Sequence, residues 1–133
     1  MRYLLDTNVL SALIRAPTGP ILRRIEAVGA VRVYTSVVVA AEMRFGAARK
    51  GSQRLTTEVE AILGRIAVAE IKPPVDRVYA ALRHELEARG RPIGTNDLWI
   101  AAQAIHDGSV VATGNVGEFG RVPGLTIEDW TRA

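Results

Sequence analysis

Three acids in this chain stand in apolar company, where an uncompensated charge is expensive. Asp6 ends the run Tyr3-Leu4-Leu5 and is followed by Thr7 and Asn8, before apolar character resumes at Val9 and Leu10. Glu42 is the first acid of Val37-Val38-Val39-Ala40-Ala41-Glu42-Met43. Asp97 opens the stretch Asp97-Leu98-Trp99-Ile100-Ala101-Ala102. If the three converge, their repulsion needs a cation. A hard divalent ion such as Mg2+ or Mn2+, bound through oxygen, meets that need. The same ion suits phosphodiester hydrolysis, because it lowers the pKa of a bound water and offsets charge building on phosphoryl oxygens.

Each acid also has a plainer reading. Asp6 is placed to cap the helix after it, unless Thr7 or Asn8 does so and leaves it free. Along its own helical face Glu42 meets Val38, Val39, Phe45 and Gly46, none of which can share its charge. The plainer alternative sets Glu42 at the solvent edge of a buried helix. Asp97 falls in a first helical turn, where the macrodipole favours a carboxylate. The apolar residues after it argue that this turn points into the protein. Asn115 is a fourth candidate, since it follows the strand-like Val110-Val111-Ala112-Thr113, although Gly114 and Gly117 beside it equally suit a turn.

The elements that must position these residues alternate between strand and helix. Residues 2–6 read as a buried strand, with a short helix over Val9 to Arg15 that Pro17 stops. A helix follows over Ile21 to Val28, started by Thr18-Gly19-Pro20 and ended by Gly29. Val31 to Tyr34 reads as a second strand. Thr35 or Ser36 caps a helix over Val37 to Lys50 that Gly51 closes, and Ser52 begins another with Leu55, Val59, Ile62, Leu63 and Ile66 at helical spacing. Ala67 to Ile71 is expected as a strand. Val75, Val78, Leu82 and Leu86 mark an amphipathic helix ending at Gly90. Thr95 is expected to cap a helix over Asn96 to Asp107. Ser109 to Thr113 reads as a strand, Asn115 to Arg121 as a turn or short helix, and Leu125 to Ile127 as a final edge strand. Such alternation implies an α/β fold with a central, mostly parallel sheet covered on both faces. Asp6 and Asn115 then lie at the carboxyl ends of strands, where ligands gather in such sheets.

The 133 residues fit one domain. With no cysteine, disulfides and thiolate metal sites are excluded, and with only His84 and His106 a His-rich zinc site is disfavoured. The formal charge of +3 is compatible with a polyanionic partner without requiring one. No apolar run approaches the roughly 20 residues of a membrane helix, and Asp6 and Asn8 interrupt anything like a leader segment. A cytoplasmic protein without membrane contact is expected.

Taken together, four segments resemble the PIN-domain family, in particular VapC- or FitB-type toxins of type II toxin–antitoxin pairs. They are Leu4-Leu5-Asp6-Thr7-Asn8-Val9, Ala41-Glu42-Met43-Arg44-Phe45-Gly46, Pro92-Ile93-Gly94-Thr95-Asn96-Asp97-Leu98-Trp99-Ile100-Ala101-Ala102, and Ala112-Thr113-Gly114-Asn115 with Glu118-Phe119. The resemblance spans the chain and implies a single PIN domain over 1–133, folded as a three-layer sandwich. It further implies a ribonuclease dependent on Mg2+ or Mn2+. In that reading Asp6 and Asp97 contact metal most directly, while Glu42 binds a second ion or orients the attacking water. The family often has a fourth acid near the position of Asn115. The amide here cannot act as a base and coordinates metal more weakly, and Glu118 stands close by. Thr7, Asn8 and Thr113 would support the acids by hydrogen bonds. The implied partners are RNA, a VapB/FitA-like antitoxin that sets a basic side chain against the acids, and a second copy of the chain. Arg44, Arg49, Lys50, Arg89, Arg91 and Arg121 are candidates for an RNA path.

Two rival readings remain distinct from this one. An aspartyl-phosphate mechanism would want a second aspartate two residues after Asp6, where this chain has Asn8. A PIN-like module with a weak or inactive site, binding RNA or a partner without cleavage, would follow if Asn115 left the acids unable to hold metal.

Overall fold

β1 (Tyr3–Leu5) is the middle strand of a five-stranded sheet in the order β3-β2-β1-β4-β5, in which every pairing is parallel. The computed structural model describes residues 1–132. The other strands are β2 (Val33–Ser36), β3 (Ala67–Ala69), β4 (Val110–Thr113) and β5 (Thr126–Asp129). Parallel strands need crossover connections, and the helices supply them: α1 (Thr7–Arg15), α2 (Pro20–Val28), α3 (Val37–Lys50), α4 (Gln53–Leu63), α5 (Val75–Ala88), α6 (Thr95–Asp107) and the short α7 (Val116–Phe119). This is the α/β sandwich that the alternation implied, and its sheet is wholly rather than mostly parallel.

The central strands are buried on both faces. Leu4 and Leu5 of β1, all of β2 and all of β4 are shielded, whereas the edge strands β3 and β5 are largely open. Leu4 pairs with Tyr34 on one side and Val111 on the other. Each fully buried leucine of this kind contributes about 1.5–3 kcal/mol relative to an exposed one. Helix α6 lies deep in the molecule because Ala101, Ala102 and Ala104 let its backbone approach its neighbours, and Leu98 and Ile100 fill the remaining space. On its outer side Trp99 stacks on Tyr79 of α5.

Several boundaries differ from the sequence expectation. The second strand begins at Val33 rather than Val31, after a 3-10 turn over Ala30–Arg32. Val31 is 96% exposed, so its β-branched side chain has no neighbours to pack against and propensity alone does not make it a strand. Helix α1 begins at Thr7, two residues early, because Asp6 itself takes the capping place and its side chain accepts from the Thr7 N–H. Helix α6 begins at Thr95, with Gly94 in the capping place and no side-chain cap. The expected Thr95 cap is not made. The Glu118 carboxylate holds Gly94 by its N–H in an extended conformation, so the chain turns helical one residue sooner. Ser36 and Ser52 cap α3 and α4 as expected, and Gly51 ends α3 in the left-handed region at φ 62°. Among the described residues no helix is long and apolar enough to cross a membrane.

The order of strands places the site. From β1 the chain steps to β2 and β3 on one side, then returns to β4 and β5 on the other. The crevice between β1 and β4, at their carboxyl ends, is the topological switch point of the sheet. Asp6 stands at the end of β1 and Thr113 closes β4 beside it.

Candidate active site

Asp6 is only 3% exposed and is held from three directions. Its N–H donates to the Ala112 carbonyl at 3.0 Å, which extends the β1–β4 ladder by one residue. Oδ1 accepts from the Thr7 N–H at 2.8 Å. Oδ2 accepts from Thr113 Oγ1 at 2.8 Å and from Asn8 Nδ2 at 3.1 Å. Capping and site membership are not alternatives for Asp6, because its two carboxylate oxygens let it do both. Burial pushes its carboxyl upward in pKa. The bonds from Thr113 and Thr7 oppose that shift, and the Glu42 charge adds to it.

Glu42 projects from α3 toward the same crevice. Thr7 Oγ1 donates to its Oε1 at 2.7 Å, and Asn96 Nδ2 donates to its Oε2 at 3.2 Å. One clamp comes from α1 and the other from the first turn of α6, so Glu42 is fixed between two helices. It does not sit loose at a solvent edge.

Asp97 lies in that same first turn of α6. Its carboxyl is pushed up to about 7, first by burial and then by the proximity of Glu118 and the charges of Asp6 and Glu42. Asn115 Nδ2 donates to Asp97 Oδ2 at 3.1 Å and to Glu118 Oε2 at 2.8 Å. The Asn115 amide is thus a bridge between two carboxylates. Glu118 is tied further by the Gly94 N–H on Oε1 at 2.6 Å, which, with the Asn115 amide, draws its carboxyl below the usual glutamate range.

Asp6, Glu42 and Asp97 therefore face one crevice, and Asn115 stands with them. Glu42, Gly94, Thr95, Asn96, Asp97 and Glu118 line its open mouth. Asn96 is not singled out in the sequence, and Glu118 is marked there only by standing close to Asn115. Asn96 has the form of an ordinary helix-start residue, and only its adjacency to Asp97 signals more. Glu118 has the form of a surface residue, although its spacing from Asn115 puts both on one short turn. Thr7, Asn8 and Thr113 act as the expected supports, and Asn8 Oδ1 also accepts the Gly114 N–H at 2.7 Å.

Among the described residues no Arg or Lys forms an ion pair with Asp6, Glu42, Asp97 or Glu118. This oxygen-rich, uncompensated cluster fits a hard divalent cation by donor chemistry. Among the described residues no three acids or histidines are grouped closely enough to ligate one ion together as they stand. Mg2+ does not require that, since it keeps several waters and commonly takes one or two carboxylates. His84 and His106 are both exposed and lie outside the cluster. Of the basic residues considered for an RNA path, Arg44 is paired with Glu60 and Arg89 with Glu85. Arg121 donates to the Pro92 carbonyl at 2.9 Å, on the loop that leads to Asp97.

The chain matches known proteins in sequence and in fold. The family model for the PIN domain matches residues 3–125. Ribonuclease VapC2 of Rickettsia felis is 31% identical over 134 residues, covering 99% of this chain and 100% of its own length. The tRNA(fMet)-specific endonuclease VapC of Salmonella typhimurium is 31% identical over 131 residues, with 98% of each chain covered. The crystal structure of VapBC2 from Rickettsia felis, bound to a DNA fragment from its promoter, superposes with a TM-score of 0.89 at 30% identity, covering 98% of this chain and 99% of that one.

Proposed function

This chain belongs to the PIN-domain family, and on that premise we propose that it is an endoribonuclease toxin of a type II toxin–antitoxin pair, dependent on Mg2+ or Mn2+. The observation that carries the reading is the set of carboxylates at the switch point of the sheet with, among the described residues, no cationic side chain paired to them. Residues 1–133 act as one PIN domain working on RNA in the cytoplasm.

Asp6 and Asp97 would hold the ion, with Glu42 beside it and Glu118 as the fourth acid. When bound, the ion supplies a lowered pKa for water and stabilises charge on the phosphoryl oxygens. The residues of the chain do the rest. Thr113, Asn8 and the Thr7 N–H fix the Asp6 carboxylate in one orientation. Thr7 and Asn96 aim Glu42 into the crevice, where it can orient the attacking water and accept its proton. Asn115 contributes no base and keeps Asp97 and Glu118 together by donating to both. In this reading water is the nucleophile and no covalent enzyme intermediate forms. A catalytically inert module is not favoured, because Glu118 restores the acid that Asn115 lacks.

A VapB/FitA-like antitoxin would place a basic side chain against the acids. An apolar groove lined by Leu13, Ile14, Pro17, Leu22, Ile25 and Ile62 gives the rest of such a partner a surface to cover. A second copy of the chain would pack on the outer face of α3. Val37 and Phe45 are exposed there, with Ala41 between them at helical spacing.

Cleavage of a structured RNA by purified protein in Mn2+, with and without chelator, tests the assignment. Cleavage should vanish with chelator and in Asp6→Asn and Asp97→Asn. Persistence in either variant would remove the acids from the mechanism.

A further inference from the structure

Three arginines that the mechanism does not use meet in one hollow. Arg23 and Arg24 of α2 and Arg132, just past β5, line it together with Pro20 and Ala27. Among the described residues neither Arg23 nor Arg24 pairs with a carboxylate. Arg24 rests one guanidinium nitrogen 3.5 Å from the Asp129 carbonyl, which orients the group and leaves its charge uncompensated. Arg132 lies 3.3 Å from Asp129 Oδ2. Among the described residues the hollow therefore holds three cations against one acid. Four other arginines are each matched to a glutamate, in Arg44–Glu60, Arg54–Glu58, Arg83–Glu87 and Arg89–Glu85.

A short chain of contacts links the hollow to Asp6. Arg132 follows Thr131, and Thr131 packs on Gly114 so closely that a Cβ on Gly114 would fall 2.7 Å from Thr131 Oγ1. The Gly114 N–H donates to Asn8, and Asn8 donates to Asp6. Neighbouring Cα atoms are about 3.8 Å apart, so Arg132 begins one residue from the Thr131–Gly114 contact. A strand of RNA with one phosphodiester at the acids meets local repulsion there and must gain its affinity from flanking phosphates. Arginine, with a planar fork of donors, suits that contact better than any other side chain.

Resting on the ribonuclease reading above, we propose that Arg23, Arg24 and Arg132 form a phosphate-binding patch for the RNA backbone that flanks the scissile bond.

Binding of a labelled oligouridylate, followed by fluorescence anisotropy over a salt series on the Asp6→Asn background, tests the patch without cleavage. Arg23→Gln with Arg24→Gln should weaken binding roughly tenfold and lower the salt slope by about 0.7 for each phosphate no longer neutralised. Arg23→Gln with Arg132→Gln leaves the Arg24–Asp129 hydrogen bond in place and should weaken binding to a comparable degree, so a packing defect in the first pair cannot imitate the result. Arg54→Gln with Arg83→Gln removes the same net charge elsewhere and should change binding by less than about twofold. In otherwise native protein the patch variants should raise KM for long RNA and leave kcat, and turnover of a dinucleotide, unchanged. Unchanged binding in both patch pairs, or equal weakening by the control pair, overturns the patch while native cleavage leaves the ribonuclease reading standing. A native protein that neither binds nor cuts RNA overturns both.

Discussion

The Asn115 amide donates to Asp97 Oδ2 at 3.1 Å and so places a partial positive charge where two acids would otherwise repel. The same nitrogen serves Glu118. Asn115→Asp removes this shared donor and sets a further carboxylate beside the pair. The metal-free variant should lose about 1–3 kcal/mol of stability, the usual consequence of leaving partly buried polar groups unpaired. Its melting temperature should recover more on adding Mn2+ than that of the parent. Melting curves in chelator and in Mn2+ measure the gap, and a gap equal to the parent's would contradict the bridging role.

Asp6 and Thr113 should separate in magnitude. Thr113→Val removes a support of Asp6 and should lower cleavage roughly 10–100-fold, as loss of an outer partner does. Asp6→Asn alters the carboxylate itself and should cost more than that. Single-turnover cleavage at saturating Mn2+ compares the two, and a Thr113→Val loss as large as that of Asp6→Asn would mean the hydroxyl contributes more than orientation.

Stability of the metal-free protein should fall as pH rises from about 4 to about 7. Asp97 is held near 7 against an ordinary 3.8 by burial and its acidic neighbours. Between those values the native state keeps a proton that the unfolded chain has released, so the unfolded state binds fewer protons and stability declines with pH. Asp6 is shifted in the same direction. Glu118 is shifted the other way, and its contribution is lost as pH falls below its ordinary 4.5, so it opposes the decline only at the acid edge of this window. Thermal melting across pH in chelator should show the decline, Asp97→Asn should flatten it, and Mn2+ should offset it at neutral pH. A rise in stability across the window would refute the assignment.

Phe45 is 65% exposed on the outer face of α3. Phe45→Arg should convert a dimer to a monomer in sedimentation experiments and change monomer stability by less than about 0.5 kcal/mol, as expected for an exposed position. A parent that sediments as a monomer would remove α3 as an assembly face.

Much of this arrangement is legible in the order of residues. Asp6, Glu42 and Asp97 can be singled out because each interrupts an apolar pattern that the fold buries, and an acid in such a place needs a reason. Strand ends and helix stops are marked by Ser36, Gly51, Ser52 and Gly108, whose chemistry is local. What cannot be read depends on residues far apart in the chain. Asn96 looks like any helix-start residue until Glu42, 54 positions away, is seen to accept from it. Glu118 gains its role only because the 92–94 loop passes its carboxylate. The same hydrogen bond moves the start of α6 from Asn96 to Thr95. Arg23 and Arg132 share a hollow only because α2 and the segment after β5 meet in space, whereas Arg44 loses its expected availability to Glu60 of the next helix and Arg89 to Glu85 one turn back.

The hydrogen bond from Thr113 to Asp6 joins residues 107 positions apart. A nascent polypeptide cannot form it until Thr113 has left the ribosome. At about 5–20 residues per second of synthesis, the translating cell is spared a working nuclease for several seconds on every molecule it makes. An inhibitor waiting at the exit would meet its target before the first cut.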